Sequence, residues 1–416
     1  MIAEFLLGAW KVFGVVAACV TLPGSVELLA LSVASLFRKR SEAIQVGPTV
    51  WHVAVVVPAH NEAASITSCV QSLLGAERGD MQVDVYVIAD NCTDDTARVA
   101  ADAGAKVLTR TNELERGKGH ALHFAFTSLE PLDYHCLLVV DADTTVAANF
   151  IVAAAGTMRE GAHAVQARYL VRNQEEGVRT RLTDLALRAF NVVRPLGRER
   201  LGLSVGILGN GFGLRSETLR VVPYLASSVV EDLEYHLSLV GSGYRVRFVD
   251  QTAVFGEMPV RGEGVKTQRS RWEGGRLRMM YEKGPELLRG VLKGRLIFLE
   301  PLLELLLLPL AFHVTLLAVA ISTPLTVVRD IGLAGIGIVL LHLTAAIVVG
   351  GGSWRDIGTL AIAPFYILWK LILIPSLLRN ARSNNAWVRT RRNAEAAPPT
   401  IGQPMAKASE IPPRVG

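Results

Sequence analysis

Apolar positions along the chain fall into three kinds of run, and each predicts a different element. The longest come first. Val12–Phe37 is apolar over 26 residues apart from Glu27, and Arg38-Lys39-Arg40 follows at once. Such a run crosses a bilayer as one tilted helix, with the basic triplet marking its cytoplasmic end. Cleavage as a signal peptide is not expected, because Met1-Ile2-Ala3-Glu4 is not basic and the run is too long. Leu302–Val328 and Ile331–Gly350 are also long enough to span, and Ile357–Leu378 is a third candidate interrupted by Pro364, Lys370 and Pro375. Beyond it lie Arg379, Arg382, Arg389, Arg391 and Arg392, which should stay on the cytoplasmic side. Three C-terminal crossings would carry that tail out, so the last segment is expected to lie in the interface or to re-enter.

Between Trp51 and Val291 the runs are short. Val53–Val57 is an unbroken β-branched stretch, the pattern of a strand buried on both faces. Asn61 is expected to cap a helix whose apolar stripe is Ile66, Val70, Leu73 and Leu74. A second strand covers Val83–Ile88 and stops at Asp90; Thr93 or Asp94 then caps a helix ending near Gly104. A third strand at Lys106–Leu108, a helix over His120–Leu129 and a fourth strand at Cys136–Val140 complete the series. This alternation predicts a parallel sheet with right-handed crossovers, which binds ligands beyond the carboxyl ends of its strands. The third pattern is amphipathic. In Gly284–Glu300, Leu287, Leu288 and Val291 interleave with Arg289, Lys293 and Arg295, predicting a helix lying on the inner leaflet.

Composition agrees with this division. Of 416 residues, 50% are hydrophobic and 19% charged, and the mean hydropathy is +0.33. That is too apolar for a soluble domain alone and too polar for spans alone, and it excludes disordered, collagen-like and disulfide-scaffold classes. Cys19, Cys69, Cys92 and Cys136 show no zinc or disulfide spacing, and reduced thiols suit a cytoplasmic face. The expected divisions are 1–40, a spanning helix with its basic flank; 51–283, the α/β domain; 284–300, the interfacial helix; 302–378, two or three spans; and 379–416, a basic, partly disordered tail.

Charge becomes informative where it sits at strand ends. Asp141-Ala142-Asp143 puts two hard carboxylates just past a buried strand, which suits Mg²⁺ or Mn²⁺; the plain alternative is a turn that happens to carry two aspartates. Asp90 can accept hydrogen bonds from a base or ribose, or simply form a turn. Arg116-Gly117-Lys118-Gly119 offers a cation among glycines ahead of a helix. Gly206–Gly213 holds four glycines in eight residues, so its backbone can approach a ligand closely. Glu231-Asp232 opens a helix, where a carboxylate either complements the helix dipole or acts as a general base. Gln268-Arg269-Ser270-Arg271-Trp272 combines groups that suit a pyrophosphate and a sugar ring, or else forms a surface helix. No GxGxxG follows the first strand, against a Rossmann dehydrogenase.

In this order, Pro58-Ala59-His60-Asn61-Glu62, Asp90 to Thr96, Arg116-Gly117-Lys118-Gly119, Asp141-Ala142-Asp143, Glu231-Asp232 and Gln268 to Trp272 resemble the family 2 glycosyltransferases. The likeness is to the membrane-embedded branch around cellulose, chitin, hyaluronan and poly-N-acetylglucosamine synthases, and it covers roughly residues 51–295. It implies a GT-A fold: a Rossmann-like, mostly parallel α/β sheet in a cytoplasmic domain flanked by transmembrane helices of the plasma (inner) membrane. It implies a hexosyl- or N-acetylhexosaminyltransferase with Pro58, Asp90 and Lys118 around the nucleotide of a UDP-sugar. Asp141 would touch ribose or metal, and Asp143 would ligate Mg²⁺ or Mn²⁺. Asp232 would be the base, Gln268 and Arg271 would face the pyrophosphate, and Trp272 would floor the acceptor sugar. Val230 departs from the Thr that the synthases commonly place before Glu-Asp.

A single base opposite the leaving group implies inversion, hence β-linkages from an α-linked donor. The expected acceptor is a growing polysaccharide, with a membrane lipid as the alternative; the partners are then donor, acceptor and bilayer, with no nucleic acid. A noncatalytic membrane scaffold is the reading from another class, and it would tolerate Asp143→Asn and Asp232→Asn.

Overall fold

The computed structural model describes residues 1–37, 50–226, 228, 230–258 and 263–372, without the side chains of 263–273, 354, 369 and 370. The triplet Arg38-Lys39-Arg40 and everything from 373 onward lie outside the described residues.

The chain enters as α1 (Ile2–Leu36) and then builds β1 (His52–Ala59), α2 (Ile66–Leu74), β2 (Gln82–Asp90), α3 (Thr96–Asp102), β3 (Lys106–Arg110), α4 (Lys118–Leu129) and β4 (Cys136–Val139). Next come β5 (Thr145–Val146), α5 (Phe150–Arg159), β6 (Ala164–Val171), α6 (Val178–Arg188), α7 (Arg194–Leu201), β7 (Phe212–Arg215), α8 (Ser216–Val221), α9 (Glu231–Gly241) and β8 (Val246–Gly256). The remainder is helical: α10 (Glu263–Leu292), α11 (Leu299–Leu306), α12 (Leu310–Ile321), α13 (Thr326–Val348), α14 (Trp354–Leu360) and α15 (Ala363–Ile372).

One sheet runs in the order β3-β2-β1-β4-β7-β6-β8-β5. The first four strands pair in parallel, as the alternation predicts. β7 then enters antiparallel to β4 and β6, so the sheet is mixed beyond that point. The unbroken apolar run of β1 serves both faces. Val53, Val55 and Val57 pack with Ile66, Val70 and Leu73 of α2 and with Phe150 and Ile151 of α5. Ala54 and Val56 pack on the other side with Leu122 and Phe126 of α4 and Tyr235 and Leu239 of α9. The strand order reverses between β1 and β4, and an open sheet offers its ligand crevice at that point.

Several boundaries differ from the sequence expectations. Asn61 does not cap α2, which starts only at Ile66; Asn61 is in the left-handed region, φ 55°, and its Oδ1 accepts from the Thr93 amide at 2.7 Å. Asp94 accepts from the first helical amide of α3, Thr96, at 3.0 Å. α4 begins at Lys118 rather than His120. The amphipathic stretch from Gly284 is not a separate helix: it continues α10, a single helix of 30 residues that already contains Gln268 to Trp272.

The membrane segments form a bundle. α1 and α13, with 35 and 23 residues, are each long and apolar enough to cross a bilayer. The expected single span over Leu302–Val328 is broken, because α11 with the turn before it meets α12 at 79°. Pro309 cannot donate an amide hydrogen bond there, and Leu307 is extended, so the helical ladder stops. α12 runs along α1 toward its start: the Ser25 hydroxyl meets His313 Nε2 at 3.1 Å, and Trp10 Nε1 reaches the Ser322 carbonyl at 3.4 Å. α13 returns, so that Ser32 meets His342 Nδ1 at 2.8 Å, and Ala345 and Ala346 pack on Leu185, Ala189 and Val193 of the catalytic unit. Polar pairs of this kind hold helices together where no water competes. The α12–α13 hairpin thus brings the chain back to the side of the sheet. Ile357–Leu378 is described as far as Ile372, as two short helices rather than a span.

Glu27, the one charge inside the first apolar run, belongs to a buried ion network. The Arg198 guanidinium in α7 meets Glu27 and Glu300 at 2.7 Å each, and also Glu304. Glu304 is also reached by Arg194 at 2.5 Å and by Arg276 of α10 at 3.2 Å. The two helices also touch through their backbones, since a Cβ on Gly197 would collide with the Leu31 main chain. We expect Arg198→Met, which strands the carboxylates of Glu27 and Glu300, to cost about 3–5 kcal/mol. Glu27→Gln leaves Arg198 two carboxylates and should cost about 1 kcal/mol. Thermal unfolding of the two variants in detergent measures the difference, and equal losses would contradict a network centred on Arg198.

Candidate active site

The loops that follow β1 and β2 are knitted together. His60 Nδ1 meets the Asp90 carbonyl at 2.8 Å, and the Glu62 amide donates to Thr96 Oγ1 at 2.8 Å. Pro58 lies near the carboxyl end of β1, in register with Ile88. Asp90 closes β2 and is almost wholly buried: its Oδ1 accepts from Arg110 at 2.7 Å and from Asn91 Nδ2 at 3.1 Å. Arg110 also donates to the Glu115 carbonyl at 2.8 Å, so the strand end carries a compensated charge rather than a bare carboxylate.

Lys118 is the centre of the site. Gly117, at φ 121°, turns the chain into α4 and aims the ammonium across the sheet to Asp141 Oδ1 and to the Gly209 carbonyl. Burial pulls that ammonium down, but Asp141, Glu231 and Asp232 outweigh it and hold its pKa above the usual value. Asp141 and Asp143 follow β4. The Cys69 thiol beneath them is pushed up by burial and then by the charges of Asp143 and Asp141, so both carboxylates bear on that spot. Thr144 Oγ1 donates to Asp143 Oδ1 at 3.4 Å.

The glycine-rich loop faces this pair. Gly209 has φ 77°, a conformation side chains rarely adopt, and a Cβ there would sit 3.2 Å from Asp232 Oδ2. Glycine is required at that approach. Asp232 and Glu231 start α9, half-buried, with Asp232 Oδ1 accepting from the Leu233 amide at 2.8 Å. Burial and then the Asp232 charge raise Glu231 to about 7, while burial raises Asp232 against the pull of Lys118. Asp141, Lys118, Gly209 and Asp232 therefore form one continuous chain of neighbours, although they come from four separate stretches of sequence.

Other parts of the arrangement carry no motif of their own. Asn210 is buried, accepts from the Asp141 amide at 3.1 Å and donates to Thr144 Oγ1 at 2.9 Å. Gln166, also buried, donates to the Asn210 carbonyl at 2.7 Å and accepts from the Leu208 amide at 2.9 Å. Together they fix the loop that receives Lys118. The glycines around Asn210 were the available signal for it; Gln166 and Arg110 had none.

Gln268, Arg271 and Trp272 lie on α10, and their side chains are outside the described residues. The helix itself runs beside the acid pair, because a Cβ on Gly275, one turn after Arg271, would meet the Val230 side chain at 2.5 Å. Among the described residues no cluster of three or more His, Cys, Asp or Glu suits a metal. Asp141 and Asp143 remain a two-carboxylate donor set, which fits a magnesium-like cation that keeps waters and takes phosphate oxygens as further ligands.

This geometry has known relatives. Residues 48–275 match the family model described as "Glycosyltransferase like family 2". The chain is 28% identical over 232 residues to a beta-monoglucosyldiacylglycerol synthase of Nostoc sp., covering 54% of this chain and 48% of that one. It is 26% identical over 234 residues to the probable glycosyltransferase YdaM of Bacillus subtilis, covering 54% of each. The chain thus spans about half the length of the curated relatives it matches. Among solved structures, a mannosyltransferase of Pyrobaculum calidifontis in complex with GDP-Man and Mn²⁺ superposes with a TM-score of 0.54 at 15% identity, over 90% of this chain and 100% of that one. That likeness speaks for the fold, a GT-A sheet flanked by candidate membrane-spanning helices. With more than half of its length matched by the family model, the chain belongs to the family 2 glycosyltransferases.

Proposed function

We propose that this glycosyltransferase moves a single sugar from a UDP-sugar to a hydroxyl of a membrane lipid headgroup, with inversion at the anomeric carbon. The observation that carries the reading is the half-buried Glu231–Asp232 pair, held against Lys118 and Asp141 in a unit tied directly to α1. Asp232 is the general base: its raised pKa makes it a better proton acceptor than an exposed aspartate, and Lys118 keeps it from being protonated outright. One base taking the acceptor proton, with the nucleotide leaving on the opposite face, gives a β-linked product from an α-linked donor. Gln268 and Arg271 would then face the pyrophosphate, Trp272 the acceptor, and Pro58 and Asp90 the nucleotide.

Asp141 and Asp143 would hold Mg²⁺ or Mn²⁺, which when bound supplies positive charge at the diphosphate leaving group. Lys118 adds its own ammonium beside them, and Asn210 and Gln166 hold the loop so that little reorganisation is needed during the reaction.

Two features support a lipid rather than a growing polysaccharide as acceptor. The described residues contain two helices long enough to span, or three counting the bent pair, which gives few walls for a polymer channel. The Nostoc relative is named for a glycolipid product. Incubating the purified membrane enzyme with a panel of UDP- and GDP-sugars and diacylglycerol should give one lipid-mobile product with a β-anomeric proton. A ladder of products would favour the polysaccharide acceptor, and an α-linkage would overturn the single-displacement chemistry.

Asp232→Asn should lower turnover by about 10²–10⁴-fold without lowering the melting temperature, since it removes one of two neighbouring like charges. Because the base must be deprotonated, kcat/KM should fall as pH drops, with the limb lying above the usual aspartate range because burial raises Asp232. Glu231→Gln should move that limb to lower pH by relieving Asp232 of its neighbour. Asp143→Asn should weaken the Mn²⁺ concentration dependence of nucleotide release while leaving the pH limb in place.

A further inference from the structure

Outside the catalytic crevice, the arginines near the membrane are not alike. Arg194 and Arg198 each meet carboxylates, but no acceptor among the described residues meets the buried Nη1 of Arg200, on the last turn of α7. Arg200 lines a groove of about 470 Å³ together with Leu29, Ala30 and Val33 of α1, Phe37 just past its end, and Leu201. The size falls in the range of small-ligand sites, roughly 300–1,000 Å³. The floor is almost entirely apolar and belongs to the face of a membrane-spanning helix, with Leu29, Val33, Phe37 and Leu201 all exposed. The Gly197–Leu31 backbone approach keeps α1 and α7 close together.

An apolar trough on a candidate spanning helix, ending at an arginine with no carboxylate partner among the described residues, has the chemistry of a phospholipid: acyl chain along α1, phosphate at the guanidinium. Arg offers paired N–H donors to phosphate and is weakly hydrated, so it suits a site at the headgroup boundary. We infer that the α1–α7 groove holds one anionic phospholipid, its phosphate on Arg200 and a chain along Leu29, Ala30 and Val33. The site is separate from the acid pair and does not depend on which acceptor the enzyme uses. It attaches a bilayer lipid to the same short helix that carries Arg198, beside the junction of sheet and membrane.

The test uses the full chain, stripped of lipid in detergent and exposed to bicelles of phosphatidylglycerol or of phosphatidylcholine, with bound lipid counted by native mass spectrometry. Wild type should retain one phosphatidylglycerol in preference to phosphatidylcholine. Arg200→Gln should lower that occupancy about tenfold, the size of one charge-assisted hydrogen bond, and erase the preference. Ala30→Phe, which fills the trough and leaves Arg200 in place, should lower retention of both lipids. Inorganic phosphate should fail to displace the lipid; if it does displace it, the site is one for a free anion and the inference falls. Unchanged retention and preference in folded Arg200→Gln would also overturn it.

Discussion

The Lys118 ammonium organises the catalytic crevice. It is donated by the start of α4, received by Asp141 after β4, and shared with the carbonyl of Gly209 in the loop before β7. Without it, Asp141, Glu231 and Asp232 would be three carboxylates crowded at the strand ends, and like charges in a shielded cleft drive one another to protonate. One cation lets them coexist, although burial still holds Glu231 and Asp232 above the usual carboxylate range. The same contact explains why a residue without a side chain is needed at 209: the carbonyl must face the ammonium while the α-carbon lies against Asp232.

A second set of buried charges does for the membrane junction what Lys118 does for the crevice. Arg198 gathers a carboxylate from α1 and two from the α11 region, while Arg276 brings α10 to the same point. Buried ion pairs add little net stability compared with apolar packing, but they are strict about partners and register. Here they specify which face of each helix meets the catalytic unit. Since α10 also carries Gln268 to Trp272 and leans on Val230, the network and the acid pair are mechanically neighbours.

Much of this was legible in the residues. The unbroken run of β1 announced a strand covered on both sides; Asp90 and Asp141 stood out at strand ends, and Lys118 as a cation among glycines ahead of a helix. Local rules failed where a distant partner took the side chain: Asn61 looked like a cap, yet its amide oxygen serves the loop after β2. Likewise Leu302–Val328 read as one span because composition sets hydropathy, whereas the break at Leu307–Pro309 is a backbone event. Glu27 looked like an interruption because its partners lie more than a hundred and fifty residues away. Gln166 and Asn210 had no pattern to betray them, since what they bond is backbone brought close only by the sheet.

The length of α1 acquires a meaning from where its polar groups fall. Trp10, bonded to the hairpin tip at Ser322, and Lys11 sit where a distal interface belongs, with Arg329 and Asp330 just past that tip. Glu27 lies 17 residues farther along, about 25 Å by helical rise, whereas a hydrocarbon layer is about 30 Å deep. The carboxylate and the arginine that comes to meet it are therefore inside the proximal edge of that layer. With α1 across a bilayer in that register, the unit that carries Arg198 would be partly immersed rather than held above the surface on a stalk.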